Sequence, residues 1–167
     1  QFIDYIARKQ NLNNLELIEK DLLLQGILQG LEKSSFFREN FAFKGGTCLI
    51  KCYFGYYRFS EDLYFTYISQ ERFKQQSEKS QRKIIAKIIQ ELLEELMKII
   101  GNLGLDFQPQ KNNPHYLEYG GSNKFVTFKL WYNSLILERE TFIKIQINFV
   151  EKLFYPILEK RASSLVA

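Results

Sequence analysis

Phe43-Lys44-Gly45-Gly46-Thr47-Cys48-Leu49-Ile50-Lys51-Cys52-Tyr53-Phe54-Gly55-Tyr56-Tyr57-Arg58-Phe59-Ser60-Glu61-Asp62-Leu63-Tyr64-Phe65-Thr66 is the stretch that decides the fold. The aromatic run Phe41 to Phe43 ends at a glycine pair, which reads as strand, tight turn and then a helix over about Thr47 to Tyr53. Further on, Leu63 and Phe65 alternate with Asp62 and Tyr64, the period-two pattern of a half-buried strand. Asp62 and Tyr64 therefore share its exposed face, and Glu61 is sent to the opposite one.

Upstream of this block, Leu15, Leu17, Ile18, Leu22, Leu23, Ile27, Leu28 and Leu31 recur at helical spacing, with Asn13 and Glu16 forming a capping-box-like start. A shorter helix is predicted over Phe2 to Arg8. Downstream, Ser69 is placed to cap a long helix from Gln70 to about Ile100, stopped by Gly101 and Gly104. Its basic residues, from Arg72 to Lys87, are interrupted by Glu71 and Glu78 and read as a solvated face. Beyond Gly104 the pattern is β: Leu105 to Gln108, Lys124 to Tyr132 and Phe142 to Val150. In the last strand Ile143, Ile145, Ile147 and Phe149 face the core, and Lys144, Gln146 and Asn148 share the other side. These elements predict an α/β (α+β) fold, a small mixed or antiparallel sheet with helices mainly on one side.

Bulk composition bounds the rest. With 46% hydrophobic and 16% aromatic residues the 167-residue chain has material for one core, and no composition break suggests a second domain, so residues 1–167 read as a single domain. A formal charge of +4 permits phosphate binding without compelling a nucleic-acid partner. No apolar run is long enough to span a bilayer and the first residues lack a signal-peptide layout, so a cytoplasmic protein is expected. Cys48 and Cys52 share a helix face without a third or fourth ligand and read as packing residues. His115, the one histidine, lies in an Asn-Asn-Pro turn and reads as surface loop.

The central block suits the handling of a triphosphate. Gly45 and Gly46 let main chain approach phosphate oxygens closely, and the helix beginning at Thr47 aims free amides at the anion. Thr47 offers a hydroxyl, and Lys44 or Lys51 a cation. Nucleotidyl transfer needs such a cradle plus charge neutralisation, which two carboxylates at i and i+2 on one strand provide by converging on magnesium. Here Asp62 is present and its partner is Tyr64, a phenol that is neutral near pH 7 and a poor magnesium ligand. Lys51 reads equally as an exposed helix lysine, and Lys144 as decoration of a sheet face. Asp62 has a bland reading as an ion-pair partner of Arg58 or Lys144. The aromatics Tyr53, Phe54, Tyr56, Tyr57 and Phe59 read as packing, with base stacking beside Arg58 as the alternative.

Lys44-Gly45-Gly46-Thr47-Cys48-Leu49-Ile50-Lys51 followed by Arg58-Phe59-Ser60-Glu61-Asp62-Leu63-Tyr64 resembles the nucleotidyltransferase-like toxins of the AbiEii type, from abortive-infection and toxin–antitoxin systems. Glu19-Lys20-Asp21 is similar to the family's N-terminal helix motif, and Ile143-Lys144-Ile145-Gln146-Ile147 to its lysine-bearing strand. The resemblance implies transfer of a nucleotidyl group from a nucleoside triphosphate to an RNA or protein acceptor with Mg2+, in a toxin opposed by an antitoxin protein. It assigns Asp62 to metal and catalysis, Lys144 to catalysis, and Gly45, Gly46, Thr47 and Lys51 to the nucleotide. Family members usually extend further, which implies a chain truncated at its C-terminus. Three departures stand out: Tyr64 for the second aspartate, Gln146 where a third carboxylate is expected, and no counterpart of the later Asp-containing helical motif. Loss of one metal ligand predicts transfer reduced by orders of magnitude, and the alternative is a catalytically impaired nucleotide- or RNA-binding module of the same fold.

Overall fold

Leu63 and Phe65 on one strand and Ile143, Ile145 and Ile147 on its neighbour are almost wholly buried, and the sheet they anchor positions everything else. The structure, a computed structural model, describes residues 1–166. Its strands are β1 (Phe41–Lys44), β2 (Leu63–Tyr67), β3 (Leu117–Gly120), β4 (Phe125–Ser134) and β5 (Arg139–Asn148). Their order is β1-β2-β5-β4-β3, with β2 and β5 parallel and every other pair antiparallel, so the sheet is mixed.

The helices are α1 (Phe2–Gln10), α2 (Leu15–Lys33), α3 (Ser35–Asn40), α4 (Gly45–Leu49) and α5 (Glu78–Ile100). Residues of α2, α3 and α5 meet one face of the sheet in a single core that includes Leu24, Ile27, Phe37, Ile88, Leu92 and Leu96. Each large apolar side chain buried there contributes roughly 1.5–3 kcal/mol. A second, smaller cluster joins Ile6, Ala7, Ile18 and Leu165, with Tyr56 and Phe59 packed against it.

Several boundaries differ from the sequence reading, each for a local reason. The cap of α2 is Asn14, whose Oδ1 accepts from the Leu17 amide at 3.1 Å. The long helix expected from Gln70 is a 3-10 turn over Gln70–Phe73, a break at Gln75 with φ of 61°, and then α5. Ser77 rather than Ser69 caps α5, its hydroxyl accepting from the Ser80 amide. The stretch Leu105 to Gln108 makes only an isolated bridge between Asp106 and Trp131, and the edge strand is β3 instead. His115 lies in its expected loop, where it stacks on Trp131 at 4.2 Å between ring centroids. No helix of the described residues is long and apolar enough to cross a membrane.

Candidate nucleotide site

Gly45 turns the chain out of β1 with φ of 78°, a conformation that side-chain-bearing residues rarely adopt. The space a side chain would need is taken as well. A Cβ on Gly45 would lie 3.0 Å from the Tyr64 ring, and one on Gly46 would lie 2.9 Å from an Arg58 guanidinium nitrogen and 3.1 Å from Ser60 Oγ. The turn is thus bare backbone framed by Tyr64 on one side and by Arg58 and Ser60 on the other. The helix it opens runs as α4 and widens to a π-helix over Ile50–Phe54, closed by Gly55, whose amide donates to Ile50 O at 2.9 Å. Such π turns recur at functional sites.

The parallel register pairs Leu63 with Ile145 and Tyr64 with Gln146. Asp62, one residue ahead of β2, is thereby level with Lys144, and the face opposite the core carries Asp62, Tyr64, Lys144 and Gln146 together. Among the described residues Asp62 has no ion pair, with Arg58, Lys144 or any other cation. Its Oδ2 instead accepts a long hydrogen bond from the Tyr64 hydroxyl at 3.5 Å. Burial first, and then the Asp62 carboxylate, push the Tyr64 phenol above its ordinary range, so it stays protonated and donating. Lys144 is half-buried, with its ammonium 5.7 Å from the Phe142 ring centroid. Lys44 and Thr66 both donate to Glu151, which folds back over the β1–β2 edge.

Two expected nucleotide ligands are placed otherwise. The Thr47 hydroxyl, 1% exposed in its residue, donates to the main-chain carbonyl of Asp62 at 2.5 Å and ties the turn to the acidic strand. Lys51 points inward: its ammonium pairs with Asp21 at 2.9 Å and donates to Tyr56 Oη at 2.7 Å and Gln25 Oε1 at 3.1 Å. Burial lowers the Lys51 pKa and Asp21 opposes the fall. Spacing of four from Thr47 told which side of the helix Lys51 would take, but that side faces α2.

The triplet Glu19-Lys20-Asp21 on α2 shows why. Glu19 accepts from the Ser134 hydroxyl and from the Leu135 amide at 2.7 Å, Lys20 pairs with Glu61 at 2.5 Å, and Asp21 holds Lys51. Successive residues of a helix point about 100° apart, so one turn of α2 reaches the β4–β5 hairpin, the start of β2 and the π-helix. Pairing with Lys20 also takes Glu61 away from Asp62. Cys48 and Cys52 are free thiols, and burial, then Cys52, pushes Cys48 up to about 12, which suits packing residues rather than thiolate ligands.

The donor set limits what a cation could find here. No group of three or more His, Cys, Asp or Glu side chains stands together among the described residues. Asp62 fits a single magnesium ion carried on a triphosphate, since magnesium accepts one carboxylate when phosphates and water complete its shell. At the next position on the same face of β2, where a second ion would need a carboxylate, stands Tyr64. A cavity of about 670 Å3 between α1, α2, Leu103–Leu105 and the end of β4 includes Glu19 in its walls but none of Gly45, Gly46, Asp62, Tyr64 or Lys144.

Comparison with known proteins bears on the fold and the family. No curated protein matches the sequence. Among solved structures, the crystal structure of JHP933 from Helicobacter pylori superposes with a TM-score of 0.50 at 17% identity, which shows a shared fold. The match covers 89% of this chain and 51% of that one, so this chain spans about half its length. Residues 27–167 match the family described as nucleotidyl transferase AbiEii toxin, type IV toxin–antitoxin system, and the chain belongs to that family.

Proposed function

We propose that this chain binds a nucleoside triphosphate on the Gly45-Gly46 turn and transfers its nucleotidyl group to an RNA or protein acceptor, as a toxin held in check by an antitoxin protein. The observation that carries the reading is the convergence of the bare glycine turn, Asp62 and Lys144 on the same sheet face. Gly45 and Gly46 hold phosphate through main chain, and Lys144 offsets charge developing at the reacting phosphate. Asp62 would hold magnesium on the triphosphate, and that ion when bound would supply charge neutralisation. Thr47 and Lys51 hold the shape of the turn and helix. The proposed unit is a single domain, residues 1–167, within a longer family architecture, in the cytoplasm.

Tyr64 favours a second reading, a nucleotide- or RNA-binding module with impaired transfer, because its hydroxyl occupies Asp62 and its ring lies on Gly45. Incubation with magnesium, labelled nucleoside triphosphates and total RNA separates the two. Labelled RNA or self-labelled protein that disappears in Asp62→Ala supports transfer. Nucleotide binding without labelled product would sink transfer and leave the binding module.

A further inference from the structure

We propose that a groove between α5 and the β3–β4 hairpin binds a nucleotide unit, a phosphate ester carried on a planar base, at a site separate from the Gly45-Gly46 turn. The site stands on its own geometry, whether or not the chain transfers a nucleotidyl group. Lys79, Arg82, Lys83 and Ala86 are spaced i, i+3, i+4 and i+7, so they share one face of α5. By sequence that face reads as solvated. In the structure it is one wall of a groove, because the loop before β3 and the β3–β4 turn stand across from it. A cavity of about 370 Å3 has Arg82 on its helix side and Lys111 on its loop side, over an apolar floor of Ile85, Ala86 and Ile89. From Arg82, Ala86 and Asn123 a wider groove of about 790 Å3 continues to Lys79 and Lys83. α5 packs on the covered side of the sheet, and β3 lies at the edge opposite β1, four strand spacings or roughly 19 Å from the glycine turn.

The walls of the smaller cavity carry two cations and no acid. Lys111 has no ion pair among the described residues, and Arg82 has one, with Glu78 at 3.8 Å. That pair is exposed and spaced i, i+4, so it holds the guanidinium by only a few tenths of a kcal/mol. Glu118, the acid beside Tyr119, points to the other face of β3 and pairs with Lys129. An anion entering here therefore meets positive charge without a competing carboxylate, and the guanidinium fork suits phosphate oxygens in particular. The remaining walls fit what a phosphate would carry. Tyr119, 39% exposed, offers a ring to one side of the cavity, and Ile85, Ala86 and Ile89 offer the apolar surface against which a planar base would lie. Asn112 and Asn123 supply amides, each able to donate and accept, and among the described residues neither side chain is spent on a hydrogen bond. Asn123 is held toward α5 with φ of 68°, a left-handed conformation that asparagine tolerates better than most residues. The unit has two sources, a free mononucleotide or one nucleotide of a single strand whose neighbouring phosphates follow Lys79 and Lys83.

The test is calorimetric titration of the full chain, in magnesium-free buffer, with adenosine monophosphate, adenosine, inorganic phosphate and a short single-stranded oligonucleotide. Arg82→Gln and Lys111→Gln are each expected to weaken monophosphate binding about tenfold, the loss of one charge-assisted hydrogen bond, and Ala86→Trp to abolish it by filling the groove. Ala86 is exposed, so Ala86→Trp is expected to keep the parent's melting temperature, which shows that its loss of binding is not unfolding. Tyr119→Ala is expected to bring the affinity for the monophosphate down to that for inorganic phosphate. A monophosphate bound through these residues with no gain for the oligonucleotide assigns the groove to a free nucleotide, and an oligonucleotide that binds more tightly and is further weakened by Lys79→Gln or Lys83→Gln assigns it to a strand. Either result supports the site. Equal affinity for inorganic phosphate and the monophosphate in the parent chain overturns the nucleotide assignment. Monophosphate binding that survives Ala86→Trp and is lost in Asp62→Ala places the ligand on the glycine turn and overturns the groove, as does failure of the parent chain to bind the monophosphate and the oligonucleotide. Labelled product in the transfer assay, present or absent, bears on the glycine turn and leaves the groove standing.

Discussion

Tyr64 acts on two groups at once, with its ring on Gly45 and its hydroxyl on Asp62. Tyr64→Asp frees the turn and adds a second carboxylate beside Asp62, so magnesium-dependent nucleoside triphosphate binding should tighten about tenfold, read as a ligand-induced rise in melting temperature. Tyr64→Phe keeps the ring and should give no such gain. Tyr132 raises a different question, because its buried hydroxyl has no hydrogen-bond partner among the described residues. An unmade buried hydrogen bond costs about 1–3 kcal/mol, so Tyr132→Phe should leave stability unchanged or raise it by about 1 kcal/mol in urea denaturation. Burial, then Glu19, pushes this phenol up to about 12. Its contribution is therefore fully present below the ordinary tyrosine pKa of about 10 and lost as pH rises from there through about 12. Tyr132→Phe should flatten that alkaline loss, and an equally steep limb in the variant would refute the assignment. At this scale Asp62 and Tyr64 were legible in the sequence because period two fixes a shared face. Arg58 on Gly46 was not, since a loop's return path has no periodicity, and Lys51 was misread because spacing reveals a helix face but not what packs on it.

Among the elements, α2 does most to hold the site, through pairs with three separate segments. Breaking a buried ion pair from one side leaves an uncompensated charge and costs about 3–5 kcal/mol, whereas replacing both partners with apolar groups is often neutral. Asp21→Ala should thus destabilise by about that amount in urea, and Asp21→Leu combined with Lys51→Met should recover most of it. A double variant as unstable as Asp21→Ala would mean that Tyr56 and Gln25, which also bind Lys51, carry the structure. The same helix meets α5 at Gly30, where a Cβ would lie 2.3 Å from Ile99 Cγ2. Gly30→Ala should cost about 1–3 kcal/mol by overpacking despite its better helix propensity. The main apolar stripes of α2 and α5 were readable from sequence. The break before α5 was hidden because Gln70–Phe73 continues the helical pattern into a 3-10 turn, and β3 was missed because four residues with one buried side chain give little alternation to read.

Across the whole molecule, the two apolar clusters divide the labour. The larger unites the sheet with α2, α3 and α5, and the smaller, under the Arg58 loop, contains Ile6, Ala7, Ile18 and Leu165. Leu165 is 4% exposed, although residues 151–160 before it form an exposed run. Ser163 donates its amide to Lys51 O at 2.7 Å, and Gln10 Nε2 donates to Leu165 O at 3.1 Å, so this segment joins α1 to the π-helix. The strand patterns left the sheet open as mixed or antiparallel, and nothing in the tail's composition signalled that Leu165 would be buried with Ile6, Ala7 and Ile18. Regions held by few buried contacts open locally at lower free energy than the main core. Leu165→Ala should therefore speed amide exchange in α1 and over Ile50–Gly55, by about tenfold or more, while β2 and β5 keep their protection because they belong to the larger cluster. Uniform acceleration through the sheet would instead mean that the two clusters unfold as one, and that the site's loop has no stability of its own to lose.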